Sequence, residues 1–233
     1  MIHDETQKVR ERYERRKEAV DNDRYSPLDP SVWQSMQERQ RMMLRLFAGK
    51  LGVSNCRDIR LLEVGCGTGG NLLEFLRLGF QPENLLGIEL LEDRVAQARK
   101  VLPSGIILVA GDAANANVPL ASQDIVFQSV VFSSLLDDAY QTELAARMWS
   151  WVRSDGGILW YDFMYNNPSN PDVRGVSMKR VRELFPDGRY NARCVTLAPP
   201  IARRVCRVHP GLYLVFNMLP FLRTHVLCWI QKP

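Results

Sequence analysis

The chain has 233 residues, 46% of them hydrophobic, with a formal net charge of +4; it can bury one full core, is short for two catalytic domains, and does not call for nucleic acid as a partner. The charged run from Asp4 to Glu18 argues against a secretory signal, and the longest apolar stretch, Gly211–Leu222, falls short of the roughly eighteen residues of a membrane span and is broken by Asn217 and Pro220. Five cysteines without a C-x-x-C pair, and only His3, His209 and His225 as histidines, fit a reduced, cytoplasmic protein with no metal site.

Lys8–Val20 predicts a helix dense in Arg, Lys and Glu, with Val9, Tyr13 and Val20 as a thin apolar stripe, expected to be solvated and laced with ion pairs. Ser26-Pro27-Leu28-Asp29-Pro30 breaks the chain. A second helix is expected from Ser31, where Ser31 and Gln34 have capping-box spacing, to Gly49 and Gly52. Its stripe of Trp33, Met36, Gln40, Met43 and Phe47 predicts packing against a sheet. From Arg60 strands and helices alternate, which predicts a doubly wound, mostly parallel α/β sheet. The expected strands are Leu61–Val64, Leu85–Leu90, Ile106–Ala110, Asp124–Val130 and Gly157–Phe163, with helices at Leu72–Leu78, Glu92–Val101, Ala139–Val152 and Ser177–Leu184. Tyr190–Leu197 and Thr224–Ile230 predict two further strands, separated by the apolar and basic stretch Pro200–Leu222.

Between the first strand and its helix lies LLEVGCGTGG, Leu61–Gly70. A buried strand running into a glycine turn and a helix lets backbone approach a nucleotide-like ligand at the positive end of the helix. Gly65, Gly67 and Gly70 satisfy G-x-G-x-x-G, whereas Gly65, Gly67 and Gly69 give G-x-G-x-G. Glu63 separates the two readings. Beside a pyrophosphate its carboxylate would repel the ligand; beside a sulfonium and an α-amino group it attracts. Glu89 ends the second strand, about twenty residues past the turn, where a carboxylate accepts both hydroxyls of a ribose in NAD enzymes as well. At the end of the third strand, Asp112 either meets an exocyclic amine or caps the following turn.

E-V-G-C-G-T-G resembles the first motif of the class I S-adenosylmethionine-dependent methyltransferases. The resemblance implies a Rossmann-like seven-stranded sheet with a terminal antiparallel strand. Residues 53–233 would form the methyltransferase domain, with acceptor-side elements after residue 163, and residues 1–52 a helical lid. It implies S-adenosylmethionine as cofactor, held by Glu63, Gly65, Cys66, Gly67 and Gly69 of the motif, Glu89 and Leu90, Asp112 and Ala113 (an adenine-edge position in the family), Gln128, and Tyr25 reaching over from the lid. The fourth strand ends Phe127-Gln128-Ser129-Val130-Val131-Phe132, without the Asn/Asp-Pro-Pro-aromatic run of the family's nucleobase amine methylases. The paired glutamates that grip an arginine substrate are missing from the next helix too.

By elimination the expected acceptor is a small molecule, and since oxygen is the commonest acceptor on scaffolds of the family this chain resembles, the resemblance implies O-methylation. An RNA or protein methyltransferase and a non-catalytic cofactor-binding partner remain alternatives. Strand topology brings Asp162 and His225 to the active edge as candidate bases. Arginines crowd the last sixty residues, and either form a solvated face or meet a phosphate-bearing acceptor such as a nucleotide sugar or lipid-linked glycan. Asn166–Gly175, Leu197–Arg204 and Arg223–His225 resemble bacterial methyltransferases of glycan and secondary-metabolite pathways.

Overall fold

A computed structural model describes residues 2–19, 26–52, 54–167 and 170–233. Seven strands form one sheet: β1 (Leu61–Val64), β2 (Leu85–Glu89), β3 (Ile107–Ala110), β4 (Gln123–Ser129), β5 (Val152–Phe163), β6 (Arg189–Leu197) and β7 (Arg223–Gln231), in the order β3-β2-β1-β4-β5-β7-β6. β1 to β5 pair in parallel, and β7 runs antiparallel to both β5 and β6. All four residues of β1 are buried, as a central strand covered on both faces requires.

One face of the sheet packs under α2 (Pro30–Leu46), α3 (Gly70–Arg77) and α4 (Glu92–Val101), where Met43, Phe75 and Ala98 meet Leu61, Phe127 and Leu227. Phe75 contacts Phe127 edge to face at 5.3 Å between centroids. The other face packs under α1 (Ile2–Ala19), α5 (Asp138–Trp151) and α6 (Met178–Leu184), where Val9, Leu144 and Val181 join Leu62, Val126 and Ile158.

The N-terminal helices differ from expectation. α1 is not a solvated rod: Val9, Glu5 and Arg12 are buried against the body of the fold. Arg12 donates to Glu5 at 2.7 Å and to the carbonyl of Ser134 at 3.0 Å, and Glu5 accepts the Leu136 amide at 2.8 Å. These long-range bonds hold the helix in place, which intrahelical ion pairs alone would not do. α2 is capped by Asp29 rather than Ser31: its carboxylate accepts the Ser31 amide at 2.8 Å, and Pro30 fills the first position, where the missing N–H costs nothing. Met43 and Phe47 of the apolar stripe are buried, but Trp33 is exposed.

Between β6 and β7 the chain forms α7 (Pro199–Val208) and α8 (Leu212–Asn217). Glu38 of α2 ties α8 to β6 of the sheet. Its carboxylate accepts from the Thr196 amide at 3.1 Å, the Tyr213 hydroxyl at 2.8 Å and the Asn217 side chain at 2.7 Å. Tyr213 is thereby held protonated, its pKa raised by burial and by the neighbouring carboxylate.

Candidate functional site

The carboxyl ends of the parallel strands meet at one edge of the sheet, the place where open α/β sheets bind ligands. There the chain leaves β1 through a turn whose shape depends on glycine. Gly65 has φ +70°, and a Cβ on it would sit 2.5 Å from Val131 Cγ2. Gly67, at φ +55°, faces open space, so backbone is exposed where a ligand would lie. The amides of Gly65 and Cys66 donate to the Ile88 carbonyl at 2.8 and 3.1 Å, locking the turn to β2. Gly69 then provides the left-handed N-cap of α3.

A cavity of about 240 Å³ opens beside this turn, lined among others by Gly65, Glu89, Leu90, Asp112, Ala113 and Ser129. Val9 and Tyr13 of α1 also line it, and Arg94 stacks over the Tyr13 ring at 4.4 Å. Glu89 is buried, with one carboxylate oxygen accepting the Gly67 amide at 2.8 Å and the other the Leu91 amide at 2.9 Å. It shapes the glycine turn and still offers lone pairs to the cavity. Asp112 caps the turn after β3, accepting the Ala114 amide at 2.9 Å, and also binds the Tyr140 hydroxyl and the Asn115 side chain.

Beyond Gly65 a polar cluster continues the edge. Asn71 of α3 donates to Glu63 at 2.6 Å, while Glu63 Oε2 is buried without a hydrogen-bond partner among the described residues. Burial pushes the Glu63 pKa up to about 8, although Asn71 and the Arg39 charge pull the other way. Arg39 reaches in from α2, donating to Asn71 at 2.7 Å and to Ser129 at 3.3 Å, with its Nε also unpartnered. Ser129 lines the cavity and accepts from Arg39, so the cluster adjoins the cavity at that residue. A guanidinium and a carboxyl stand on one side of the glycine turn, a ribose-competent acid on the other.

Residues 61–156 match the family model described as "Methyltransferase domain". That match spans less than half of the chain and holds the glycine turn, Glu89 and Asp112.

Solved structures of similar fold include an S-adenosylmethionine-dependent methyltransferase from Mesorhizobium loti, 14% identical over 83% of this chain and 96% of that one, with a TM-score of 0.59. One from Archaeoglobus fulgidus is 17% identical over 86% and 98%, at a TM-score of 0.57. A 1,6-didemethyltoxoflavin-N1-methyltransferase from Burkholderia thailandensis, with bound S-adenosylhomocysteine, is 18% identical over 87% and 81%, at 0.59. No curated relative matches the chain.

The residues at this edge would fit S-adenosylmethionine. The orphaned Glu63 oxygen suits the α-amino group, the Arg39 guanidinium the carboxylate, and Glu89 the ribose hydroxyls. Glu89→Ala should weaken S-adenosylhomocysteine binding by about 1.5–3 kcal/mol, through lost charged hydrogen bonds and a slackened Gly67 turn. Calorimetry reads this directly, and an unchanged dissociation constant would return Glu89 to a purely structural role.

Other sequence-derived candidates sit elsewhere. The Cys66 side chain points into the core, its thiol pKa raised by burial, so only its backbone borders the turn. Gln128 does not line the cavity; fully buried, it donates to the Tyr161 carbonyl at 3.2 Å and accepts the Val131 amide at 3.0 Å. This brace holds Val130 at φ +54°, a strained conformation for a β-branched residue. Asp162 is also fully buried, accepting the Ser133 amide at 3.1 Å and the Phe163 amide at 2.9 Å. Burial raises its pKa to about 7, yet both oxygens are engaged in holding the loop after β4. Asp162 is therefore a loop anchor rather than a base open to an acceptor. Tyr25 lies outside the described residues.

His225 opens β7 opposite Phe163 at the end of β5, on the α2 side of the sheet. Its ring stacks on Tyr161 at 5.1 Å, and the Arg39 guanidinium lies 5.2 Å from the centroid of that same Tyr161 ring. His225 is thus beside the polar cluster and outside the cavity lining. Burial, then the Arg39 charge, lower its pKa to about 4.

Arg39, Asn71 and Tyr140 were not singled out from sequence, and Tyr13 was read only as part of the apolar stripe of the first helix. A signal existed for Arg39: it lies one turn before Met43, on the helix face that packs against the sheet, where a charged residue is unusual.

Proposed function

We propose that this protein moves the methyl group of S-adenosylmethionine to an oxygen of a small-molecule acceptor, with a sugar, nucleotide sugar or lipid-linked glycan as candidate acceptors. The observation that carries the cofactor part is that Asn71 bonds both Arg39 and Glu63, leaving one Glu63 oxygen unpartnered among the described residues, while Glu89 stands on the other side of the glycine turn. The bound cofactor supplies an electrophilic methyl on a positively charged sulfur. Everything else is positioning: the glycine turn sets the depth of the ligand, and the braced loop Val130–Ser134 walls off one side. α1 roofs the cavity and α2 contributes Arg39, so residues 1–52 act as the lid of a domain spanning residues 53–233. His225 takes the acceptor proton, or at least orients the hydroxyl, from the Tyr161 side.

The oxygen acceptor is favoured by the end of β4, where Ser129-Val130-Val131-Phe132 lacks the Asn/Asp-Pro-Pro-aromatic run of nucleobase amine methylases. The Burkholderia neighbour, by its title an N1-methyltransferase, makes nitrogen the competing acceptor atom. A methyl-transfer screen over sugar nucleotides, phenols and amines tests the reading. Turnover on a hydroxyl supports it; transfer only to amines replaces the acceptor, and transfer to RNA or protein, or to nothing despite tight cofactor binding, overturns it.

The raised Glu63 pKa has a measurable consequence. With its pKa about 8 in the free protein, Glu63 is mostly protonated at neutral pH; an ammonium group beside it favours the carboxylate. Binding S-adenosylhomocysteine at neutral pH should therefore release a proton, and affinity should rise as pH climbs towards about 8. Calorimetry in buffers of different ionisation enthalpy counts that proton. Glu63→Gln should abolish the release; if the release persists, it comes from another group.

A further inference from the structure

α8 and the turn after it are built with their polarity reversed. The inward residues Tyr213 and Asn217 are buried and bonded to Glu38. The outward ones are apolar: Val215 is 58% exposed, Met218 75% and Phe221 77%, with Leu214, Phe216 and Leu219 also exposed. The Glu38 bonds fix the helix, so this display belongs to the folded state, and a contiguous apolar protrusion of this kind marks an interaction surface. Arg204 and Arg207 of α7 lie exposed just before it, in a stretch that has no acid from Val205 to Pro233. α7 and α8 join β6 to β7, and so stand at the ligand edge of the sheet, next to Thr224 and His225.

We propose that this protrusion docks the protein onto the surface of an anionic lipid bilayer, with the side chains around Phe221 entering the headgroup boundary and Arg204 and Arg207 meeting lipid phosphates. Apolar residues flanked by arginines are what interfacial binding requires, because neither burial nor charge alone holds a protein at a membrane. Two copies of this chain meeting symmetrically through the same patch would bring like-charged arginines together, which disfavours self-association. Docking in this way brings the site close to the bilayer whatever the acceptor proves to be, so the inference stands apart from the proposed reaction.

The test is flotation of the full-length protein with vesicles of phosphatidylcholine, with or without phosphatidylglycerol. The protein should float with the anionic vesicles and much less with the neutral ones, and added salt should weaken binding. Met218→Ser/Phe221→Ser and Arg204→Glu/Arg207→Glu should each cut the bound fraction about tenfold or more at limiting lipid. These side chains lie outside the core, so melting temperatures should match wild type. No binding of wild type to anionic vesicles, or binding that neither double variant reduces, would overturn the proposal. So would light scattering that shows a wild-type dimer made monomeric by Met218→Ser/Phe221→Ser without any vesicle binding; the patch would then be a contact between copies.

Discussion

Replacing His225 by asparagine should slow turnover about a hundredfold or more while leaving cofactor affinity almost unchanged. The ring is stacked on Tyr161 beside Arg39, and it is outside the lining of the cavity in which the nucleoside is proposed to lie. Its Nδ1 is 3.0 Å from Thr224 Oγ1. A base role requires the tautomer in which Nδ1–H donates to that hydroxyl and Nε2 keeps its lone pair.

The pH profile carries the sharper signature. An unperturbed imidazole would make the rate rise near neutrality, which is what the sequence alone predicts. Burial and Arg39 lower the His225 pKa to about 4, so the ring is neutral and proton-accepting above that value and charged below it. The rate of wild type should therefore climb through about pH 4 and stay flat across neutrality, and His225→Asn should lose the acid limb. A fully active variant would sink the role. With Asp162 committed to Ser133 and Phe163, methyl transfer without a protein base would then be the better account.

Arg39→Met should weaken S-adenosylhomocysteine binding by about 2–5 kcal/mol, roughly thirtyfold and upward, because a buried guanidinium paired to a carboxylate is lost and its partner is left desolvated. Arg39→Lys keeps the charge but not the planar fork, and should recover only part of the loss. 5′-Methylthioadenosine separates ligand binding from folding, since it has the nucleoside and the sulfur but no amino-acid tail. Its affinity should be nearly the same in wild type and Arg39→Met. Equal weakening of both ligands would mean that Arg39 shapes the site through Asn71 and Ser129 instead of meeting the ligand.

Local sequence was enough for the strands and for the turn. β1 reads as a strand because Leu61, Leu62 and Val64 are apolar and a glycine follows at once; Gly65 reads as obligatory because its turn needs positive φ. Glu89 and Asp112 were legible because chain distance from the glycine turn puts them at strand ends, where every parallel strand of this fold delivers its last side chain to the same edge. Placement on a strand does not say which way a side chain faces. Leu90, Ala113 and Glu89 line the cavity, whereas Gln128 and Asp162, equally at strand ends, lie under the loop they brace.

The sequence by itself determined the sheet, the glycine turn and the pair of acids, since each rests on residues close together in the chain whose backbone needs are local. Only the tertiary structure decided the rest. It brought Arg39 from α2 onto Ser129, 90 positions away, and paired Glu5 with the Leu136 amide, 131 positions away. It turned α8 so that Tyr213 and Asn217 face Glu38 and the apolar side faces outward. Those outcomes depend on which buried polar atoms find partners across the fold, and a linear pattern of apolar and polar residues carries no record of that.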